Sequence, residues 1–215
     1  VDAKAPAAAA IRLNEAVREF PNSARLFLAL GIAQMNDNKT AEARAAFERA
    51  LTIDPKLIPA LAYSAMTFTD QARYEESLKI YERGLALDDK NAVLHYLLAD
   101  TLLKTTSPDV SRIENALKKA IALDAKLAQA HLALGRLYVR QERWTEAAAS
   151  LENAAKLDLN HSETFYQLGR VYARLKRAED SRAALAKFKQ ITDNQKERRE
   201  NERRELVRRL ANVRF

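Results

Sequence analysis

Apolar residues recur along this chain at helical spacing, in paired stretches that are separated by a short polar turn. In the clearest case the first stretch contains Phe27, Leu30 and Gly31, and the second contains Phe47 and Ala50. Spacings of three and four residues place the apolar side chains of each stretch on one face of an α-helix. The pattern therefore predicts two amphipathic helices that pack against each other. It returns about every 34 residues, a period that indicates stacked helix pairs.

Five such units are predicted, and together they form the middle one of three parts of the chain. The units run over residues 24–57, 58–91, 92–127, 128–161 and 162–195. The third is longer than the others, which we interpret as a longer turn around Ser107, Pro108 and Asp109. Residues 1–23 are predicted to be a linker end, alanine-rich from Ala3 to Ala10, and then one helix of a half-repeat. Residues 196–215 are predicted to form a charged C-terminal capping helix.

The units share a fingerprint of large, small and aromatic residues at fixed places. It consists of Phe27, Leu30, Gly31, Ala43, Phe47, Ala50 and Pro55 in the first unit, Leu134, Gly135, Tyr138, Ala147 and Ala154 in the fourth, and Phe165, Leu168, Gly169 and Tyr172 in the fifth. This fingerprint resembles that of the tetratricopeptide repeat family. The resemblance implies an all-α fold, a right-handed α-solenoid of stacked helix-turn-helix repeats. It also implies a non-catalytic scaffold that binds a peptide or protein segment.

Composition agrees with a helical protein that lacks catalytic machinery. The 215 residues include only 4 Gly and 5 Pro, and the absence of Cys excludes disulfides, thiolate nucleophiles and most structural zinc sites. No nucleophile or metal motif surrounds the histidines, so we expect no enzymatic activity, no cofactor and no metal. His95 and His131 occupy equivalent places, where a core aromatic residue is expected. Trp144 is likewise predicted to be an aromatic residue packed at a turn.

The candidate binding face follows from the geometry that the resemblance implies, in which the first helix of each pair lines a concave surface. Places four residues apart on those helices point outward together. At the N-terminal end of this surface they hold apolar residues such as Leu28, Ile32 and Met66. Toward the C-terminal end they hold the predicted peptide-binding residues, which are Tyr96, Lys104, Leu132, Arg136, Arg140, Tyr166, Arg170 and Arg174.

Four arginines dominate this face, and two interpretations of them are open. Arg136 and Arg140 are one turn apart, and Arg170 and Arg174 repeat the arrangement in the next unit. An anionic ligand would relieve their mutual repulsion through charge-assisted hydrogen bonds of about 1.5–3 kcal/mol each. The partner is then an acidic protein or peptide that also carries apolar residues. The alternative is a solvated basic face that pairs with neighbours such as Glu163, at about 0–1 kcal/mol per pair.

The C-terminal segment is strongly charged, and three roles are open for it. Residues 195–215 hold eight Lys or Arg and four Glu, which supply +4 of the formal net charge of +7. An apolar face of Leu206, Leu210 and Val213 predicts a cap over the last unit. The same face would also support a homodimer. As a third role, the arginines would bind nucleic acid or an anionic surface, although the glutamates and the lack of stacking aromatic residues disfavour nucleic acid.

The start of the chain bears on its origin and compartment. A first residue other than Met, followed by half a unit, favours a processed or cloned piece of a longer polypeptide. Removal of a signal peptide produces the same start, which favours an exported or bacterial periplasmic protein over a cytoplasmic one. No apolar run approaches the roughly 20 residues that cross a bilayer.

Overall fold

The computed structural model describes residues 5–211, and these residues form eleven α-helices and no strand. In chain order the helices are α1 Ala5–Glu19, α2 Ala24–Asn36, α3 Thr40–Ile53, α4 Ile58–Asp70, α5 Tyr74–Leu87, α6 Ala92–Leu102, α7 Val110–Leu123, α8 Ala128–Arg140, α9 Trp144–Leu157, α10 Ser162–Arg174 and α11 Ala178–Ala211. Within residues 5–211, none of the helices has both the length and the apolar composition that a membrane crossing requires.

The helices pack as consecutive pairs. The pairs are α2 with α3, α4 with α5, α6 with α7, α8 with α9, and α10 with α11. Their first helices begin at Ala24, Ile58, Ala92, Ala128 and Ser162, which are also the first residues of the five sequence units. The apolar period along the chain therefore coincides with the period of the structure.

A short turn reverses the chain within four of the described pairs. Each turn has three residues, and the middle one lies in the left-handed region: Asn38, Ala72, Glu142 and Lys176 have φ values of 60°, 57°, 59° and 60°. A backbone hydrogen bond closes each reversal, for example from the Arg73 amide to the Phe68 carbonyl at 2.9 Å. In the third pair residues 103–109 separate the helices, and the Asp109 carboxylate caps α7 by accepting from the Arg112 amide at 2.9 Å.

The described helices form two compact units, α1–α7 and α8–α11, which divide between Asp124 and Ala125. In the first unit α1 packs on α2, and Ala10, at 4% exposed, belongs to a buried cluster with Leu30 and Ala33. The helix begins at Ala5, so the linker interpretation is corrected from that residue onward. The physical reason is that alanine is the strongest helix former and that Ala10 packs against apolar residues of α2. Residues 1–4 of the predicted linker lie outside the described residues.

The second unit ends in α11, a helix of 34 residues that includes both the second helix of the fifth pair and the predicted charged helix. Ile191 is 5% exposed, whereas every side chain from Asp193 to Arg208 is exposed. Leu206 is 58% exposed, so the described part of α11 does not cover the fifth pair as a cap would. The helix continues without a break to Ala211, and exposed ion pairs one turn apart, such as Arg198 with Glu202 at 3.0 Å, add a small stabilisation. The Leu210 side chain and Val213 lie outside the description.

Candidate functional site

The predicted binding residues lie on three first helices and are split between the two units. Leu132, Arg136 and Arg140 lie on α8, Tyr166, Arg170 and Arg174 lie on α10, and Tyr96 and Lys104 lie on α6 in the first unit. Helices α8 and α10 contact each other within the second unit. Six of the eight predicted residues therefore lie on two neighbouring helices, and we call these six residues the basic row.

Arg136 connects the two helices of the basic row. Its Nη1 atom lies 3.5 Å from Oε1 of Glu163, in the first turn of α10. The two side chains are 46% and 42% exposed, so this ion pair contributes about 0–1 kcal/mol. For this one arginine the charge is partly neutralised within the protein, as the alternative interpretation expected.

Arg170 and Arg174 lie over aromatic rings. The guanidinium carbon of Arg170 is 5.8 Å from the centre of the Tyr166 ring, and that of Arg174 is 5.7 Å from the centre of the Trp144 ring. A guanidinium group that stacks on a ring keeps the N–H groups at its edge available for a carboxylate. Among residues 7–208, neither of these arginines forms an ion pair, nor does Arg140. Three guanidinium groups of the basic row thus offer hydrogen-bond donors to an outside acceptor.

The outward residues of the first unit have a different electrostatic character. Lys104 Nζ lies 2.8 Å from Asp100 Oδ2, one turn earlier on α6, and balances its charge there. Tyr96 is half-buried, as are the apolar residues Leu28 and Met66 at corresponding places. Unbalanced positive charge on the predicted face is consequently concentrated in the second unit.

Trp144 of α9 contacts the basic row through Arg174, which its sequence position did not indicate. It was expected to pack at the turn, and its side chain is indeed half-buried. Because α9 packs against α10, the first residue of α9 lies beside the last turn of α10, where Arg174 lies. The available sequence signal was an aromatic residue at a turn in one unit combined with a basic residue at the end of the first helix in the next.

Two of the three histidines hydrogen-bond backbone turns. His95 Nε2 lies 2.9 Å from the carbonyl oxygen of Asp89, and His131 Nε2 lies 3.1 Å from that of Ala125. Each ring therefore hydrogen-bonds the turn that precedes its own helix, in the place where an aromatic core residue was expected. The described residues contain no group of three or more His, Asp or Glu side chains that could hold a metal ion.

Paired helices at a regular period, with small residues at the close contacts, define an all-α repeat solenoid. The chain belongs to the tetratricopeptide repeat family. One family model, described as a tetratricopeptide repeat, matches residues 2–58 and 132–195, and a second model with the same description matches residues 60–93. Proteins of this family generally act as protein-interaction scaffolds without catalytic activity.

Comparisons with individual proteins agree with this assignment. Superkiller protein 3 of Schizosaccharomyces pombe is 28% identical over 129 residues, which are 57% of this chain and 9% of that protein. A chain in the crystal structure of the APC/C hetero-tetramer Cut9-Hcn1 aligns with a TM-score of 0.74 at 21% identity, over 90% of this chain and 38% of that chain. YrrB, described as a TPR protein with an unusual peptide-binding site, aligns with a TM-score of 0.62 at 21% identity, over 83% of this chain and 91% of its own.

Proposed function

We propose that the second unit binds an acidic peptide, or an acidic segment of another protein, along the basic row of α8 and α10. The observation that carries this proposal is the stacking of Arg170 and Arg174 on aromatic rings, without an ion-pair partner among residues 7–208. Carboxylates match the edge donors of a guanidinium group in a bidentate geometry. Leu132 and Tyr166, one turn before the arginines on their helices, add apolar contacts. The preferred segment therefore combines Asp or Glu with apolar residues.

The energetics favour the stacked arginines as the main contacts. A hydrogen bond to a charged group contributes about 1.5–3 kcal/mol, and a side chain already held on a ring loses less rotamer freedom on binding. Arg136 contributes less because Glu163 competes for its donors. An interaction role is general in this family, and a peptide-binding site is described for YrrB, whose fold this chain shares.

Tyr96 and Lys104 are proposed as auxiliary binding residues of the first unit. Asp100 already balances Lys104, so an acidic ligand gains little at this position. Taken by itself, the first unit should therefore bind an acidic peptide only weakly through Lys104, and Lys104→Ala should lower that affinity about fivefold or less.

Selection from a random dodecapeptide library displayed on phage tests the proposal and requires no identified partner. The purified chain and two double variants are screened in parallel. The double variant Arg170→Glu with Arg174→Glu reverses the charge at both positions that lie over aromatic rings. Arg182→Glu with Arg198→Glu is the matched control, because both side chains lie on α11, are 73% and 81% exposed, and change the net charge equally.

We expect the unaltered chain and the control to enrich peptides rich in Asp and Glu. Loss of two charge-assisted contacts should weaken the enriched peptides by about a hundredfold or more in the Arg170/Arg174 variant. If both double variants lost binding equally, the attraction would be a general effect of net charge. If the Arg170/Arg174 variant kept full affinity, the basic row would not be the binding face.

The alternative of nucleic-acid or anionic-surface binding through the C-terminal region has weaker support. Residues 196–208 of α11 alternate six basic with four acidic residues, and ion pairs join Arg198 to Glu202 and Arg204 to Glu200. Phosphate groups approaching this helix would meet carboxylates at nearly every turn. Fluorescence anisotropy with a labelled single-stranded oligonucleotide would reveal such binding by a steep loss of affinity with salt.

A further inference from the structure

Phe188 departs from a repeated small residue of the second helices. The equivalent places in the four preceding units hold Ala50, Gly84, Ala120 and Ala154, and all four residues are buried. The three alanines are at most 1% exposed. A small residue at this place of α3, α5, α7 and α9 thus changes to a large aromatic residue in α11.

The small residue allows the next helix pair to approach. A Cβ atom on Gly84 would lie 3.0 Å from Cδ1 of Leu94, which belongs to the first helix of the following pair. A phenylalanine ring at such a place leaves no room for a helix at that distance. Phe188 instead packs on Tyr166 of α10, with ring centres 5.4 Å apart and ring planes at 49°. This tilted arrangement is favourable for an aromatic pair.

The pair belongs to a partly exposed apolar surface beside the basic row, in which Phe188 itself is half-buried. Tyr166 is 41% exposed, and Leu185 is 40% exposed and lies three residues before Phe188 on α11. We call Tyr166, Leu185 and Phe188 the aromatic corner. Tyr166 is shared with the basic row, because the guanidinium group of Arg170 lies over its ring. Apolar surface and unpaired positive charge are therefore contiguous.

We propose that the aromatic corner binds a bulky apolar side chain of the same acidic segment whose carboxylates contact Arg170 and Arg174, so that Phe188 is a specificity-determining residue outside the first-helix row. This inference rests on the proposed function. The adjoining arginines make an acidic partner segment the complementary occupant, whereas a second copy of this chain, with a net charge of +7, would be repelled. One helical turn separates Tyr166 from Arg170, about 5.4 Å along the axis, which an extended peptide spans in about two residues.

A double-mutant cycle tests the inference. Dodecapeptides selected on the unaltered chain are synthesised with a fluorescein label, in their selected form and with each bulky apolar residue changed to Ala. Their affinities are measured by fluorescence anisotropy for the unaltered chain and for Phe188→Ala. Alanine is compatible with the fold at this place, because three equivalent places already hold it. Phe20→Ala is the control, since Phe20 is a 60% exposed phenylalanine of the first unit.

We expect Phe188→Ala to weaken the selected peptides about tenfold and Phe20→Ala to leave them unchanged. Changing the peptide's bulky apolar residue, two or three positions from an acidic one, to Ala should lower the affinity for the unaltered chain by a similar factor. The same change should lower the affinity for Phe188→Ala little further. Fully additive losses, or an unchanged affinity of Phe188→Ala, would overturn the inference. Peptides whose binding depends on the arginines but not on Phe188 would leave the proposed function standing, which keeps the two failures distinguishable.

Three further measurements keep the test decisive. Circular dichroism establishes that Phe188→Ala is folded, and Phe188→benzoylphenylalanine should form a photo-crosslink to the apolar residue of the peptide. A crosslink elsewhere on the peptide, or none, contradicts the assignment. Sedimentation velocity examines the other occupant: a dimer that Phe188→Ala converts to a monomer would show that a second copy covers the aromatic corner, and would overturn the inference.

Discussion

Gly135 and Gly169 occupy the same place in α8 and α10, but the residues that face them differ in freedom to move. A Cβ atom on Gly135 would lie 2.6 Å from Leu151 Cγ, and one on Gly169 would lie 2.6 Å from both Cγ and Cδ2 of Leu185. Leu151 is 0% exposed, whereas Leu185 is 40% exposed. Only the second leucine can rotate toward solvent when a methyl group is added. We therefore expect Gly135→Ala to destabilise the second unit and Gly169→Ala to leave it as stable or more stable.

Two opposing effects determine the magnitude. Replacing a helical Gly by Ala stabilises a helix by about 0.8–1 kcal/mol, and forcing a methyl group into a packed interior costs about 1–3 kcal/mol. The new Cβ on Gly135 would also lie 3.4 Å from the backbone nitrogen of Leu151, so side-chain rotation alone does not relieve the contact. The net loss at Gly135 should be about 1–2 kcal/mol. At Gly169 the net change should lie between about zero and a gain of 1 kcal/mol.

Urea unfolding followed by Trp144 fluorescence measures both variants, because Trp144 is the only tryptophan and lies in the same unit as the two glycines. With a denaturant slope of about 1–3 kcal/mol per molar, the loss at Gly135 should lower the midpoint by about 0.3–2 M. Each variant serves as the control for the other, since the chemical change and the repeat position are identical. Equal midpoints would refute the reasoning that the mobility of the facing leucine decides the effect.

Three other substitutions test separate features of the fold. Lys176 has a φ of 60°, so Lys176→Gly should raise the free energy of unfolding by about 0.5–1 kcal/mol. The control Lys189→Gly, inside α11, should lower that free energy by about 1 kcal/mol. A lower free energy of unfolding in both variants would argue against strain at the turn. Burial raises the pKa of Tyr81 to about 12, above the value of about 10 for an unfolded tyrosine, so the associated stability is present below pH 10 and is lost as the pH rises toward 12. Tyr81→Phe should make that loss shallower in unfolding experiments across this pH range, and an unchanged profile would contradict the assignment. Ser77 Oγ lies 2.7 Å from Thr69 Oγ1 and donates to the Ala65 carbonyl at 2.9 Å. Ser77→Ala should therefore lower the free energy of unfolding by about 1–3 kcal/mol, measured by urea unfolding followed by circular dichroism. Ser107 is exposed, so the control Ser107→Ala should change that free energy by about 0.5 kcal/mol or less.

The helix pairs were predictable because each unit repeats one local code of apolar spacing and small residues. Gly31 facing the buried Phe47 is an example, since the two residues belong to one unit and their contact follows from helix periodicity. The ends of the chain were harder to interpret. A run of alanines is typical of both linkers and helices, and only the buried place of Ala10 decides between them. For α11, the lack of any Gly or Pro between Ala178 and Ala211 was a sequence signal for one long helix, although the turn at Lys176 shows that a helix also ends without either residue.

Sequence spacing indicates which arginines of the candidate site are exposed, but not which of them have partners within the chain. Four-residue spacing places Arg136, Arg140, Arg170 and Arg174 on the outward faces of first helices. Whether each arginine has a partner depends on side chains that are distant in sequence. Glu163 reaches Arg136 from a helix that begins 26 residues later, and Trp144 reaches Arg174 across the packing of α9 with α10. Such contacts require the tertiary structure, because no local pattern relates the residues.

A comparison among the arginines indicates which of them are available to a partner. The turn arginines Arg73, Arg143 and Arg177 lie 4.5, 4.1 and 4.3 Å from the ring centres of Phe68, Tyr138 and Tyr172, and each also binds an acidic residue three positions later. Their guanidinium groups thus use one face for a ring and one edge for a carboxylate. Arg170 and Arg174 also lie over rings, at the longer distances of 5.8 and 5.7 Å, but have no acidic residue three or four positions before or after them. The edge that a carboxylate occupies at each turn is left for a carboxylate from outside the chain, which is the chemical reason to look for an acidic partner at the basic row.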